Sequence, residues 1–134
     1  IKKLDFIILD YIGQIKASNH RDELRITIGN AIRTFKQIAK DLNIPFLTLA
    51  QLNRGVDGRA EKKPVLSDLK ESGAIEEESG AVIMLSNPNT VANTESQENK
   101  KANYLDVFIR KNRHGQLAEF KLGFEGHTQY IGEI

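Results

Sequence analysis

Between two short apolar runs, Leu4 to Leu9 and Phe46 to Ala50, lies a long stretch whose apolar residues recur at helical spacing. Leu24, Ile28, Ala31, Ile32, Phe35, Ile38, Ala39 and Leu42 share one face, while Arg25, Arg33, Lys36 and Lys40 occupy the other. This pattern predicts an amphipathic helix reaching about Leu42, with Asn19 or Asp22 as its N-cap. The first apolar run is nearly continuous, as in a strand buried on both faces of a parallel sheet. Asn43-Ile44-Pro45 ends the helix, because a residue before proline avoids the helical region. Strand, helix and strand in this order imply parallel pairing through a right-handed crossover. The fold class is therefore α/β.

Downstream, Gly55 to Pro64 is polar, basic and glycine-containing, and reads as an exposed loop. Ser67 to Gly80 reads as one or two short helices, with Gly73 as a weak point between them. Ala81 to Leu85 is an apolar run with the character of a third buried strand. Residues 86–103 are rich in Asn, Ser, Thr, Glu and Lys, lack periodicity, and are expected to form a mobile loop within a single domain, 1–134. Tyr104 to Lys111 and Leu117 to Phe124 alternate well enough for strands. His114-Gly115-Gln116 between them suggests an antiparallel hairpin, and Tyr130-Ile131 a short last strand.

Composition removes several function classes. The chain has no cysteine, which excludes disulfides and thiolate metal sites and fits a cytoplasmic setting. Its three histidines (His20, His114 and His127) are too scattered to suggest a metal site. No apolar run is long enough to span a membrane. A net charge of +1 gives no global basic signature, so any nucleic-acid contact must come from local clusters. The chain opens on Ile almost inside its first strand, as expected of a piece whose further motifs lie upstream.

Four polar clusters follow or join the apolar runs. Asp10 closes the first, where a strand-end carboxylate can accept water ligands of Mg²⁺ if phosphates are held nearby; an aspartate that merely opens a loop fits as well. Gln51 ends the neighbouring strand on the same rim, where open α/β sheets bind ligands. Arg54 then leads into a segment containing Arg59, Lys62 and Lys63, which suits a phosphate backbone or a solvated charge run. Lys70 beside Gly73 offers a positive charge and an approachable backbone N–H to a phosphate. The acidic run Glu76-Glu77-Glu78 suits local salt bridges or a basic neighbour. Lys111 and Arg113 alternate at a strand end and so point to one side. There they suit a phosphate brought from outside the subunit, or are simply exposed hairpin cations.

Taken together, Ile8-Leu9-Asp10-Tyr11, Leu49-Ala50-Gln51-Leu52-Asn53-Arg54, the segment from Ser67 to Glu76, and Lys111-Asn112-Arg113-His114-Gly115 resemble the DnaB-type replicative DNA helicases. The resemblance covers nearly the whole chain. It implies a truncated RecA-like P-loop NTPase domain, a parallel sheet flanked by helices with a C-terminal antiparallel hairpin. It further implies a hexameric ring that uses ATP and Mg²⁺ to move along single-stranded DNA and unwind duplex during replication, with primase and a helicase loader as partners. By that resemblance Asp10 is the Walker B acid and Gln51 couples nucleotide to DNA. Lys70, Glu71 and Gly73, with Arg54, lie on the DNA side, and Lys111 and Arg113 reach the γ-phosphate held by the adjacent subunit.

The departures from the family pattern are equally specific. No Gly-x-x-x-x-Gly-Lys-Ser/Thr loop is present, so this stretch by itself is expected not to hydrolyse ATP. Lys70 stands where arginine is common, and His114 where a small polar residue is common. The competing expectations are a RecA-type recombinase or a phage primase-helicase, and a non-catalytic DNA-binding or helicase-loading module.

Overall fold

Strands β1 (Ile7–Leu9) and β2 (Phe46–Thr48) pair in parallel, with Ile7 opposite Phe46 and Leu9 opposite Thr48. Helix α1 (Arg21–Leu42) lies between them in the chain. The computed structural model describes residues 3–16, 21–53, 63–69, 72–87 and 103–133. They fall into two compact units, one drawn from Ile1–Arg54 and Leu66–Ser79, the other from Gly55–Val65 and Gly80–Ile134. The expected loop 86–103 lies almost wholly outside the described residues.

The first unit is the expected strand–helix–strand element. Helix α1 begins at Arg21, so Asp22 is inside it and not its cap; Asn19 lies outside the described residues. Its end is a Schellman closure. Asn43 takes a left-handed φ of 50°, its N–H donates to the Lys40 carbonyl, and Ile44 N–H donates to Ala39. Asparagine tolerates that conformation, and Pro45 then prevents continuation. Ile12, Ile28, Ile32, Ile44, Leu69 and Ile75 are buried, and Phe35 stacks on Phe46 at 4.7 Å between ring centroids.

Burial of β1 on both faces does not occur. Ile8 and Leu47, opposite each other in the ladder, are 61% and 46% exposed. Among the described residues this sheet has two strands, and α1 covers only the face bearing Phe46.

Among the described residues after β2 come a 3-10 turn, Leu66–Asp68, and then helix α2 (Ser72–Glu78). Gly73 is therefore the second residue of a helix, not a break between two. Helix α2 packs on α1 through a close approach, for a Cβ placed on Gly29 would lie 3.3 Å from Ala74 Cβ. A mid-helix glycine costs up to about 1 kcal/mol against alanine, and the contact explains its use here. Gly29→Val is expected to force the helices apart and destabilise the protein by about 1–3 kcal/mol, measured by urea unfolding. An unchanged unfolding midpoint would show that α2 yields freely.

The second unit is an antiparallel meander of four strands in sequential order: β3 (Ala81–Ser86), β4 (Tyr104–Asn112), β5 (Ala118–Glu125) and β6 (Tyr130–Gly132). The expected hairpin is thus the centre of a larger sheet. Strand β3 pairs with β4, and its burial alternates: Val82 and Met84 are buried, whereas Ile83 and Leu85 are exposed. It is not the continuously buried strand its composition suggested, because an antiparallel sheet can leave one face open. Leu105, Val107 and Phe108 of the central strand β4 are buried, and Pro64 is fully enclosed.

Candidate functional site

The parallel register sets the first group of candidate residues. Leu49 N–H donates to the Leu9 carbonyl, and Ile12 N–H donates to the Leu49 carbonyl, each at 2.9 Å. Asp10 sits between those two bonds, directly after β1, and the Asp10–Tyr11 peptide is cis. Gln51 follows Leu49 by two residues. Asp10 and Gln51 are both exposed and lie at the carboxyl ends of adjacent parallel strands, as their positions in the sequence predicted. Ligands bind at that edge in open α/β sheets.

The chain beyond Gln51 is stitched to the next candidate segment. Leu52 bridges Leu69, and Asn53 N–H donates to the Asp68 carbonyl at 2.7 Å. The backbone that carries Gln51 is thereby bonded to the segment that leads into Lys70. Asp68 is a buried carboxyl, which sequence reasoning did not single out. Of the expected DNA-side residues, Arg54, Lys70 and Glu71 lie outside the described residues. Gly73 is exposed, with open space where a side chain would stand.

Glu78, at the last turn of α2, supplies the salt bridges expected of the acidic run. Its carboxyl is 2.6 Å from Lys36 Nζ and 3.5 Å from Arg33 Nε, both on α1. The Lys36 ammonium above all, with Arg33 adding to it, holds the Glu78 carboxyl below the usual glutamate value, although partial burial pulls the other way. A carboxyl with a lowered folded-state pKa contributes stability above its ordinary range, and this is lost as pH falls through the lowered value. Docking of α2 on α1 should therefore weaken on acidification below the ordinary glutamate value of 4.5. Glu78→Gln should flatten that part of the stability–pH profile, followed by thermal unfolding. An identical acid limb in the variant would remove Glu78 from the account.

The second unit carries Lys111 and Arg113. Lys111 is half-buried near the end of β4, opposite Val82. Arg113 is exposed in the turn after β4, and its N–H donates to the Gly80 carbonyl at 2.9 Å, prolonging the ladder by one bond. The turn is tight. A Cβ on Gly115 would run into the Asn112 amide, which itself accepts from His114 N–H and donates to the Gln116 carbonyl, each at 3.4 Å.

Among the described residues no group of three or more His, Asp or Glu side chains is arranged to hold a metal ion. A single carboxylate such as Asp10 nonetheless suits Mg²⁺, which keeps several waters and takes further oxygens from a bound phosphate. No described helix is long and apolar enough to cross a membrane.

This geometry has close relatives. The family model for the DnaB-like helicase C terminal domain matches residues 1–133. The chain belongs to the DnaB-like helicase C-terminal domain family. It is 36% identical over 123 residues to the replicative DNA helicase DnaB of Leifsonia xyli subsp. xyli, covering 92% of this chain and 26% of that protein. Against the replicative DNA helicase DnaC of Bacillus subtilis it is 32% identical over 122 residues, 90% of this chain and 26% of the relative. The chain thus spans about a quarter of the length of these relatives. Two solved structures superpose with a TM-score of 0.81 at 27% identity over 96% of this chain. One is a DnaB-like replicative helicase studied with its interactions with primase, of which this chain covers 30%; the other is an ATPase domain, of which it covers 44%. The hairpin and short last strand expected from the sequence join Ala81–Ser86 in the antiparallel sheet.

Proposed function

We propose that this chain works within a replicative DNA helicase that couples ATP hydrolysis to movement along single-stranded DNA and so separates the duplex. The observation that carries the reading is the placement of Asp10 and Gln51, both exposed, at the carboxyl edge of adjacent parallel strands. In this reading Asp10 holds the waters of Mg²⁺ accompanying ATP, and the ion, when bound, neutralises charge developing on the transferred phosphate. Gln51 is the proposed nucleotide-sensing residue, and the backbone just after it, at Leu52 and Asn53, makes the contacts with Leu69 and Asp68. In this reading it reports nucleotide state to Lys70, Glu71 and Gly73, which with Arg54 are the proposed DNA contacts.

Arg113, with Lys111 behind it, serves the site of an adjacent copy. An exposed arginine on a tight, backbone-anchored turn suits a contact made in trans, which requires an oligomer, a hexameric ring in this family reading. Primase and a helicase loader are the protein partners of this cytoplasmic machine. The test is ATP hydrolysis by the full-length protein with and without single-stranded DNA. Stimulation by DNA supports the motor. Hydrolysis absent under every DNA condition would instead make the chain part of a DNA-binding or helicase-loading module.

A further inference from the structure

One side chain outside the residues discussed so far lies just ahead of Lys111 and Arg113 on β4. The register of β3 on β4 shifts between Val82 and Ile83: Val82 faces Lys111 and Ile83 faces Ile109, so Arg110 is the extra residue of a β-bulge. Bulges re-aim side chains and raise the local twist, and this one directly precedes Lys111. The Arg110 side chain is only 20% exposed, and its guanidinium is used from several directions. Nε donates to the Pro64 carbonyl at 2.8 Å, Nη1 meets Glu119 Oε1 at 2.7 Å, and the group lies 4.7 Å from the centre of the Phe108 ring. The other oxygen of Glu119 takes Lys63 Nζ at 2.7 Å.

A lone exposed ion pair would contribute little. Here a planar fork spans a backbone carbonyl and a carboxylate at once, a geometry that defines position, and lysine does not reproduce it. What Arg110 positions follows from the chain. Pro64, whose carbonyl the fork holds, is fully enclosed. Arg110 precedes Lys111 by one residue and Arg113 by three. Within the second unit the Arg110 fork therefore anchors the residues that lead directly into the Arg113 turn.

We infer that Arg110 is a positioning residue, which sets the Arg113 turn through the β4 bulge and its anchorage on Pro64 and Glu119. The inference rests on the helicase reading given above. Its test is single-turnover ATP hydrolysis with single-stranded DNA by the full-length protein, where very slow rates remain measurable. The variants are Arg110→Ala, Arg110→Lys, Arg113→Ala and the double variant Arg110→Ala/Arg113→Ala, with ATP binding and thermal unfolding measured beside them.

Misplacing a reacting group by an ångström can cost about a hundredfold, so Arg110→Ala is expected to lower the DNA-stimulated rate about tenfold or more, with ATP affinity retained. Arg110→Lys should recover little of it. The deciding result is non-additivity: the double variant should be no slower than Arg113→Ala alone, because Arg110 acts through Arg113. Losses that multiply in the double variant, or an Arg110→Ala protein as fast as wild type, overturn the inference and leave the helicase reading standing. A merely structural role would lower unfolding temperature and ATP affinity together, and Arg110→Lys, which keeps the charge, would restore both; that outcome also overturns it. A wild-type protein that does not hydrolyse ATP overturns the helicase reading first, and the inference with it.

Discussion

Arg113→Ala in the full-length protein is expected to reduce DNA-stimulated ATP hydrolysis by about 10³-fold or more while ATP still binds. The size follows from what a permanently charged, planar donor does for a transferring phosphate: it meets charge that grows only in the transition state. The structure makes Arg113 suitable for that work, since its backbone is held by the bond to Gly80 and its turn is closed by the Asn112 amide, yet the residue itself is exposed. Arg113→Lys should rescue poorly, because an ammonium is a point charge without the fork. A contact made in trans adds a sharper expectation. Mixing Arg113→Ala subunits with subunits inactivated at Asp10 should restore some hydrolysis, because some mixed sites pair an intact Asp10 with an intact neighbour's Arg113. Activity that stays at the level of the separate variants would place Arg113 in its own subunit's site, and loss of ATP binding would make it a ground-state ligand.

Asp10→Asn should be nearly as damaging, by about 10² to 10³ in hydrolysis rate, equivalent to about 3–4 kcal/mol of transition-state stabilisation. The substitution keeps size and hydrogen bonding but removes the charge that orders the waters of Mg²⁺. Because Asp10 is exposed and the ladder bonds around it belong to the backbones of Leu9, Ile12 and Leu49, the fold should be unaffected, and circular dichroism and unfolding midpoint should match wild type. Raising Mg²⁺ concentration should recover part of the rate. A variant that hydrolyses ATP normally at ordinary Mg²⁺ would return Asp10 to the status of a loop-opening residue.

Parts of this architecture were legible in the sequence for a definite reason. Leu24 to Leu42 carries a 3.6-residue period over five turns, and Asn43-Ile44-Pro45 marks its end, so α1 and the parallel partners on either side could be placed closely. Strands β4 and β5 were legible from alternation around Gly115. Ala81 to Leu85 was harder. A uniformly apolar run has no period to say which face is covered, and only pairing with β4 reveals that Ile83 and Leu85 remain outside.

Asp10 and Gln51 were visible because a polar residue ending an apolar strand needs no tertiary information to be noticed. Arg110 and Glu119 were invisible for the opposite reason. Each looks like an ordinary surface charge until the β4–β5 register sets Glu119 opposite Phe108, within reach of Arg110, and a distant proline carbonyl takes the other arm of the guanidinium. Glu78 was intermediate, since an acidic run announces a basic neighbour but does not say which residues of α1 it will meet.

The way the two units share the chain has a practical consequence for anyone who wishes to cut it. The backbone passes from one unit to the other after residues 54, 65 and 79, so no single cleavage yields both intact. A piece beginning at Gly80 would retain the whole antiparallel sheet and the Arg113 turn, and would look like a tidy domain by sequence order. It would have lost Lys63 and Pro64, leaving the Arg110 fork without its carbonyl and Glu119 without its lysine. A boundary drawn for convenience there discards the short stretch of chain on which a side chain of the hairpin closes.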